Sequence, residues 1–166
     1  MIAIVITTAL AALIARCAPS VGPTTIASIV VFESGARPLA IGDNTQRVAY
    51  FPTNRARATS VATALLRAGH DIDVGYMQIN ARNFAAYELD VASAFDPCTN
   101  VAVGSRILQL FYAGAARTVG PGQRALAMAL SAYNTGDYRA GLGYARGIYA
   151  TSKHLRLRST TSGHRP

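Results

Sequence analysis

The chain is poor in acids. Asp and Glu together number eight in 166 residues, and only Glu33 and Glu88 are glutamates. Candidates for acid–base chemistry are therefore few. Cysteine is as scarce: Cys17 and Cys98 stand far apart, with neither a C-x-x-C pair nor the Cys/His spacing of a zinc site. His70, Asp71 and Asp73 lack the oxygen-rich spacing of a calcium loop, so neither a metal site nor a cofactor is expected. Also missing are G-x-x-x-x-G-K-[ST], G-x-S-x-G, a Rossmann glycine pattern and any internal repeat. Nucleotide-binding and serine-hydrolase readings therefore have no support.

What is abundant is apolar or basic. Hydrophobic residues make up 51% of the chain, enough for one domain with a real core, and the length argues against two. A net charge of +8 and a pI near 10.1 suit an anionic partner: nucleic acid, a membrane surface or an acidic wall polymer. Charge alone does not choose among them. Lys153, Arg156, Arg158 and Arg165 concentrate in the last sixteen residues, which lack apolar periodicity. A domain over 1–150 is therefore expected to be followed by a disordered basic tail over 151–166. Met1 to Ala15 is apolar apart from Thr7 and Thr8. It reads either as an export signal or as a first helix with Leu10, Leu13, Ile14 and Cys17 on one face, and it falls short of the roughly 20 residues of a membrane span. The two cysteines can form one disulfide or remain two free thiols.

Helical signals dominate the rest. Thr24 or Thr25 is placed to cap a short apolar helix through Ile26, Ile29, Val30 and Phe32, closed by Gly35 and presenting Glu33 in its last turn. A helix C-terminus repels an anion, and that field together with apolar neighbours favours the protonated carboxyl a general acid needs. Arg37 to Pro52 is mainly loop, with Gln46 to Phe51 extended and Tyr50 and Phe51 available to stack on a sugar face. Further helices are expected over Asn54–Ala68 with Val61, Ala64, Leu65 and Ala68 inward, from Asn80 through Tyr87, over Cys98–Ala116 after an Asp96-Pro97 start, over Gln123–Tyr133, and over Gly141–His154. The outcome is a mainly α single domain with a small extended and loop lobe.

Three polar clusters interrupt this apolar pattern: Glu33-Ser34-Gly35, Gly75-Tyr76-Met77-Gln78-Ile79-Asn80 and Ala132-Tyr133-Asn134-Thr135-Gly136. In this order they resemble the lytic transglycosylase family, which has a goose-type lysozyme-like fold and the motifs E-S, G-x-M-Q and A-Y-N-x-G. The resemblance covers roughly Leu10 to Tyr149. Arg16 to Val21, Asp73 to Asn80 and Ala94 to Asn100 are most similar to the subgroup associated with type IV secretion and conjugation systems. The resemblance implies a first helix within Met1 to Cys17 and a disulfide between Cys17 and Cys98. It assigns Glu33 as catalytic acid/base and places Ser34, Gly75, Tyr76, Met77, Gln78, Asn80, Tyr133 and Asn134 around the substrate.

The activity implied is cleavage of the β-1,4 bond between N-acetylmuramic acid and N-acetylglucosamine, leaving 1,6-anhydromuramyl ends. It implies peptidoglycan strands as substrate, an exported, periplasmic location, secretion or conjugation components as partners, and no nucleic acid. Two alternatives stay open on the same fold: a muramidase that hydrolyses the bond with Asp43, Asp71 or Asp73 as second acid, and a non-catalytic peptidoglycan-binding scaffold.

Overall fold

The structure, a computed structural model, describes residues 4–157. Its elements run β1 (Ile4–Ile6), α1 (Thr8–Cys17), α2 (Pro23–Ser34), β2 (Ile41–Asp43), β3 (Val48–Tyr50), α3 (Arg55–Arg67), β4 (Ile72–Val74), β5 (Ile79–Asn80), α4 (Val91–Ala94), α5 (Pro97–Val119), α6 (Gln123–Thr135), α7 (Leu142–His154) and β6 (Leu155–Leu157). The expected mainly α domain is present, and its extended lobe is an antiparallel sheet ordered β3-β2-β4-β5.

The 23-residue helix α5 joins the two halves. Asp96 caps it by accepting from the Thr99 backbone N–H (2.8 Å), and Pro97 occupies its first turn. Val101 and Leu108 pack into a cluster with Ile14, Ile26, Ile29, Val30, Leu130 and Ile148 of the helical half. Val103 and Ile107, on another face of the same helix, pack with Ile41, Ala58, Ile72, Val74, Ile79 and Phe95 under the sheet. Each fully buried aliphatic side chain of this kind stabilises the fold by about 1.5–3 kcal/mol, so α5 couples both cores. Cys17 and Cys98 form a disulfide that ties the end of α1 to the start of α5.

Several sequence expectations are corrected. Helix α2 begins at Pro23 with Gly22 as its cap residue, and neither Thr24 nor Thr25 caps it, because proline already supplies a first turn that needs no N–H partner. In α3 the buried positions are Ala58 and Ala62, whereas Ala64 and Ala68 are exposed. Methyl-sized residues on that inward face let α3 lie close to the sheet. Between Asn80 and Tyr87 the chain makes two single 3₁₀ turns rather than one helix. The stretch expected to be a tail from residue 151 is helical to His154 and then pairs in parallel with β1, Ile4 opposite Leu155. Backbone pairing with Ile4–Ile6 supplies the order that side-chain periodicity does not show. The remainder of the expected tail, 158–166, and Met1 to Ala3 lie outside the described residues.

Candidate active site

Helix α2 delivers Glu33 to the junction of the two halves. The helix ends sharply: Gly35 and Ala36 both adopt left-handed backbones (φ 60° and 59°), and their N–H groups bond to the carbonyls of Val31 (3.0 Å) and Val30 (3.2 Å). Only glycine takes that conformation without steric cost, which accounts for Gly35 directly after the Glu33-Ser34 pair. Ser34 is buried and faces away from the cleft. Its hydroxyl donates to the Val30 and Tyr76 carbonyls, both at 2.9 Å, and so clamps the helix end to the segment that carries Tyr76.

That segment is held from behind by α5. Asn100, buried, accepts from the Met77 N–H (2.8 Å) and donates to the carbonyls of Val74 and Ala94 (2.9 Å each). Gly75 has φ +81°, and a β-carbon there would collide with the Asn100 side chain. Met77 is fully buried against Gly104 of α5, where a β-carbon would lie 2.7 Å from its sulfur. Gln78, with φ 46°, turns its amide back to donate to the carbonyls of Gly75 (2.9 Å) and Ala40 (3.2 Å).

A cleft of about 530 Å³ opens between the halves, lined by Glu33, Asp71, Asp73, Gln78, Asn80, Arg82, Tyr87, Phe111 and the 132–136 segment, among others. Of the residues placed around the substrate from sequence, Gln78, Asn80, Tyr133 and Asn134 reach this cleft. Gly75, Met77 and Ser34 stand behind it, and Tyr76, half-buried, is not among its lining residues. Tyr133 donates its hydroxyl to the Met77 carbonyl (2.8 Å), joining α6 to the Gly75–Asn80 segment. Asn80 accepts from the Arg82 N–H and donates to Asp71 (2.7 Å), which also pairs with Arg82. Asp43, expected as a candidate second acid, is buried under the hairpin, where it pairs with His70 (2.7 Å) and accepts from the Thr45 and Gln46 N–H groups. It does not line the cleft.

Glu33 is the perturbed group of this site. Burial, foremost, pushes its carboxyl up from the ordinary 4.5 to about 7. Tyr144 opposes that by donating its hydroxyl to Oε1 at 2.6 Å, and the nearby negative charge of Asp73 adds to the rise. A carboxyl poised there can hold a proton near neutral pH and take it back, as a general acid/base must. Asp73 is itself raised, by burial first and by Asp71, while its hydrogen bonds to Asn44 and Asn80 pull the other way.

Tyr144 is the functional candidate that sequence reasoning missed. It lies on α7, which carries Gly143 and Gly147. Gly147 is where α7 approaches α2: a β-carbon there would stand 2.6 Å from the Phe32 ring, and Phe32 packs edge-on against Tyr144 (centroids 5.3 Å apart). Small residues next to a tyrosine in the last helix are the signal that could have found it. Among the described residues no cluster of three or more His, Cys, Asp or Glu side chains is arranged to hold a metal ion.

Relatives bear directly on this geometry. The family profile described as "Transglycosylase SLT domain" matches residues 11–147. The chain belongs to that family. Within it, Protein virB1 of Agrobacterium fabrum is 43% identical over 142 residues, 84% of this chain and 58% of the relative. Protein virB1 of Rhizobium radiobacter is 39% identical over the same length, covering 84% of this chain and 59% of the relative. Type IV secretion system protein virB1 of Brucella abortus biovar 1 is 39% identical over 127 residues, 76% of this chain and 53% of the relative. The chain thus spans a little over half the length of these curated relatives. No solved structure matches it significantly. The SLT family match covers Glu33, the Gly75–Asn80 segment, the 132–136 segment and Tyr144 alike.

Proposed function

We propose that this SLT-family chain is a peptidoglycan lytic transglycosylase with Glu33 as its single acid/base. The observation that carries the reading is a carboxyl raised to about 7 by burial, held by Tyr144 in the cleft between the two halves. The protonated Glu33 donates to the oxygen bridging the muramyl C1 and the neighbouring sugar, and the C1–O bond breaks. Positive charge at C1 is stabilised by the carbonyl oxygen of the substrate's own acetamido group. The Glu33 carboxylate then removes the proton from the muramyl C6 hydroxyl as that oxygen attacks C1. The 1,6-anhydro ring closes, Glu33 is protonated again, and no water is consumed.

The surrounding residues take supporting roles in this scheme. Gln78, Asn80 and Asn134 line the wall that meets the sugars, Gln78 with its NH2 turned to the Gly75 and Ala40 carbonyls and Asn80 with its amide shared between Asp71 and Arg82. Tyr133, Ser34, Gly75 and Met77 keep that wall in place through the contacts to the Tyr76 and Met77 carbonyls and to α5. Tyr144 orients Glu33.

The names of the Brucella relatives connect them to type IV secretion, and a +8 charge suits an anionic wall. We therefore place the activity in the cell envelope, periplasmic, opening peptidoglycan locally for a secretion or conjugation apparatus whose components are its partners. Among the described residues no helix is long and apolar enough to cross a membrane.

A second reading is favoured by one observation: Asp73 lines the same cleft and its charge is felt at Glu33. A carboxylate there could activate water and give hydrolysis instead. The primary test is clearance of a peptidoglycan suspension by wild type and Glu33→Gln. Clearance by the variant at the wild-type rate would sink the role given to Glu33.

A further inference from the structure

The cleft that holds Glu33 is an acidic one. Asp71 and Asp73 line it with Glu33, and the cation among its lining residues, Arg82, is already paired with Asp71 at 2.8 Å. Peptidoglycan, by contrast, carries carboxylates of its own, in the stem peptide attached through the lactyl group of the muramyl sugar. A stem beginning on the sugar beside Glu33 is repelled by that wall and needs a cation elsewhere to meet it.

Arg37 does not line the cleft but follows the helix end that carries Glu33. Its backbone N–H bonds to the Ser34 carbonyl (3.2 Å), one tight turn from Glu33, and its own carbonyl accepts from Ala40 (3.4 Å). Ala40 in turn accepts from the Gln78 amide (3.2 Å), so the 37–40 link bridges the acid and the opposite cleft wall. The Arg37 guanidinium lies over the face of Phe51, 4.6 Å from the ring centroid, and folds back across Gly35. Phe51 is 55% exposed, so the stack lies on the surface of the protein. Among the described residues the side-chain contacts between acids and basic groups are Asp43–His70 and Asp71–Arg82, and neither involves Arg37. Stacking restrains the plane of the guanidinium of this exposed arginine, and a planar guanidinium can bind a carboxylate with two parallel hydrogen bonds.

We propose that the Arg37–Phe51 stack receives a carboxylate of the stem peptide and makes the protein prefer peptide-bearing over peptide-free strands. This rests on the proposed action on peptidoglycan. The bond being cut is the same in both substrates, so Arg37 acts on binding and not on the chemical step.

The test compares intact strands with strands stripped of their peptides by an amidase, using wild type, Arg37→Gln, Arg37→Lys and Phe51→Leu. Wild type is expected to have kcat/KM about threefold to tenfold higher on peptide-bearing strands, and to lose that margin as salt is raised. Arg37→Gln is expected to abolish the preference through KM, with the peptide-free rate unchanged, which also reports an intact fold. Arg37→Lys keeps the charge without the flat fork and retains only part of the preference; Phe51→Leu reduces it in the same direction. A wild type with equal kcat/KM on the two substrates, or an Arg37→Gln protein with the full preference, would overturn the inference while leaving the wall-cleaving reading standing. Release of nothing from either substrate by wild type would remove both.

Discussion

Replacing Tyr144 by Phe isolates the one side-chain hydrogen bond to the Glu33 carboxyl found among the described residues. The ring and its edge-on contact with Phe32 remain, and only the hydroxyl that donates to Glu33 Oε1 at 2.6 Å is lost. That bond stabilises the carboxylate and so pulls the Glu33 pKa down against the larger effect of burial, the balance lying at about 7. A hydrogen bond to a charged group contributes about 1.5–3 kcal/mol, and one pKa unit is about 1.4 kcal/mol. Its removal is therefore expected to raise the Glu33 pKa by about one to two units above the wild-type value. Cleavage begins from protonated Glu33, so activity falls as pH rises through that pKa. In Tyr144→Phe the alkaline limb should move to higher pH by the same one to two units. Release of soluble muropeptides measured from pH 5 to 9 reads it directly. An alkaline limb that stays in place or moves to lower pH would refute the idea that this hydroxyl holds the carboxylate, as would an unchanged carboxyl frequency shift in infrared titration of the variant.

Other outcomes follow from the same structure. Glu33 has a folded-state pKa raised from 4.5 to about 7, so its contribution to stability is fully present below about 4.5 and is lost as pH rises through about 7. The Tm of Glu33→Gln relative to wild type should therefore grow between pH 4.5 and pH 8, by several degrees for ~1–3 kcal/mol after allowance for partial solvation of the cleft; an offset independent of pH would contradict it. The disulfide closes a separation of 81 residues, and in the chain-entropy model its loss costs about 4.5 kcal/mol. Reduction should lower Tm by on the order of 10 °C, measured by calorimetry with and without reductant. Gly104→Ala presses a methyl group against the Met77 sulfur and should cost about 1–3 kcal/mol in chemical denaturation, with reduced activity because the Met77 carbonyl holds Tyr133; a variant as stable and active as wild type would show that the segment is not tightly set.

Glu33 could be read from the sequence because acids are so few and because Gly35 marks a helix end. Its environment could not. The helix-end field and apolar neighbours both point to a raised carboxyl, but burial is the largest cause of the shift, and its extent depends on packing of α7 against α2 and α6. Tyr144 stands 111 residues from Glu33, and the small residues beside it mark a close helix approach without naming the helix it meets. The Gly75–Asn80 cluster was legible as a unit, but one face of it is buried against α5 and the other meets the cleft. That division depends on Asn100 and Gly104, which look like ordinary members of a core helix. The strand at Leu155–Leu157 was missed for a related reason: its partner, Ile4–Ile6, lies at the opposite end of the chain. Helix starts match expectation with a capping side chain at Asn54 and Asp96 and equally without one at Gln123 and Leu142.

Mass spectrometry of the muropeptides released from intact peptidoglycan by wild type and Glu33→Gln tests the central claim most directly. The account predicts 1,6-anhydromuramyl ends from the wild type and none from the variant. Reducing ends one water heavier would contradict the single-carboxylate mechanism and assign water activation to a second acid such as Asp73, and anhydro ends from Glu33→Gln at the wild-type rate would contradict the role of Glu33 itself.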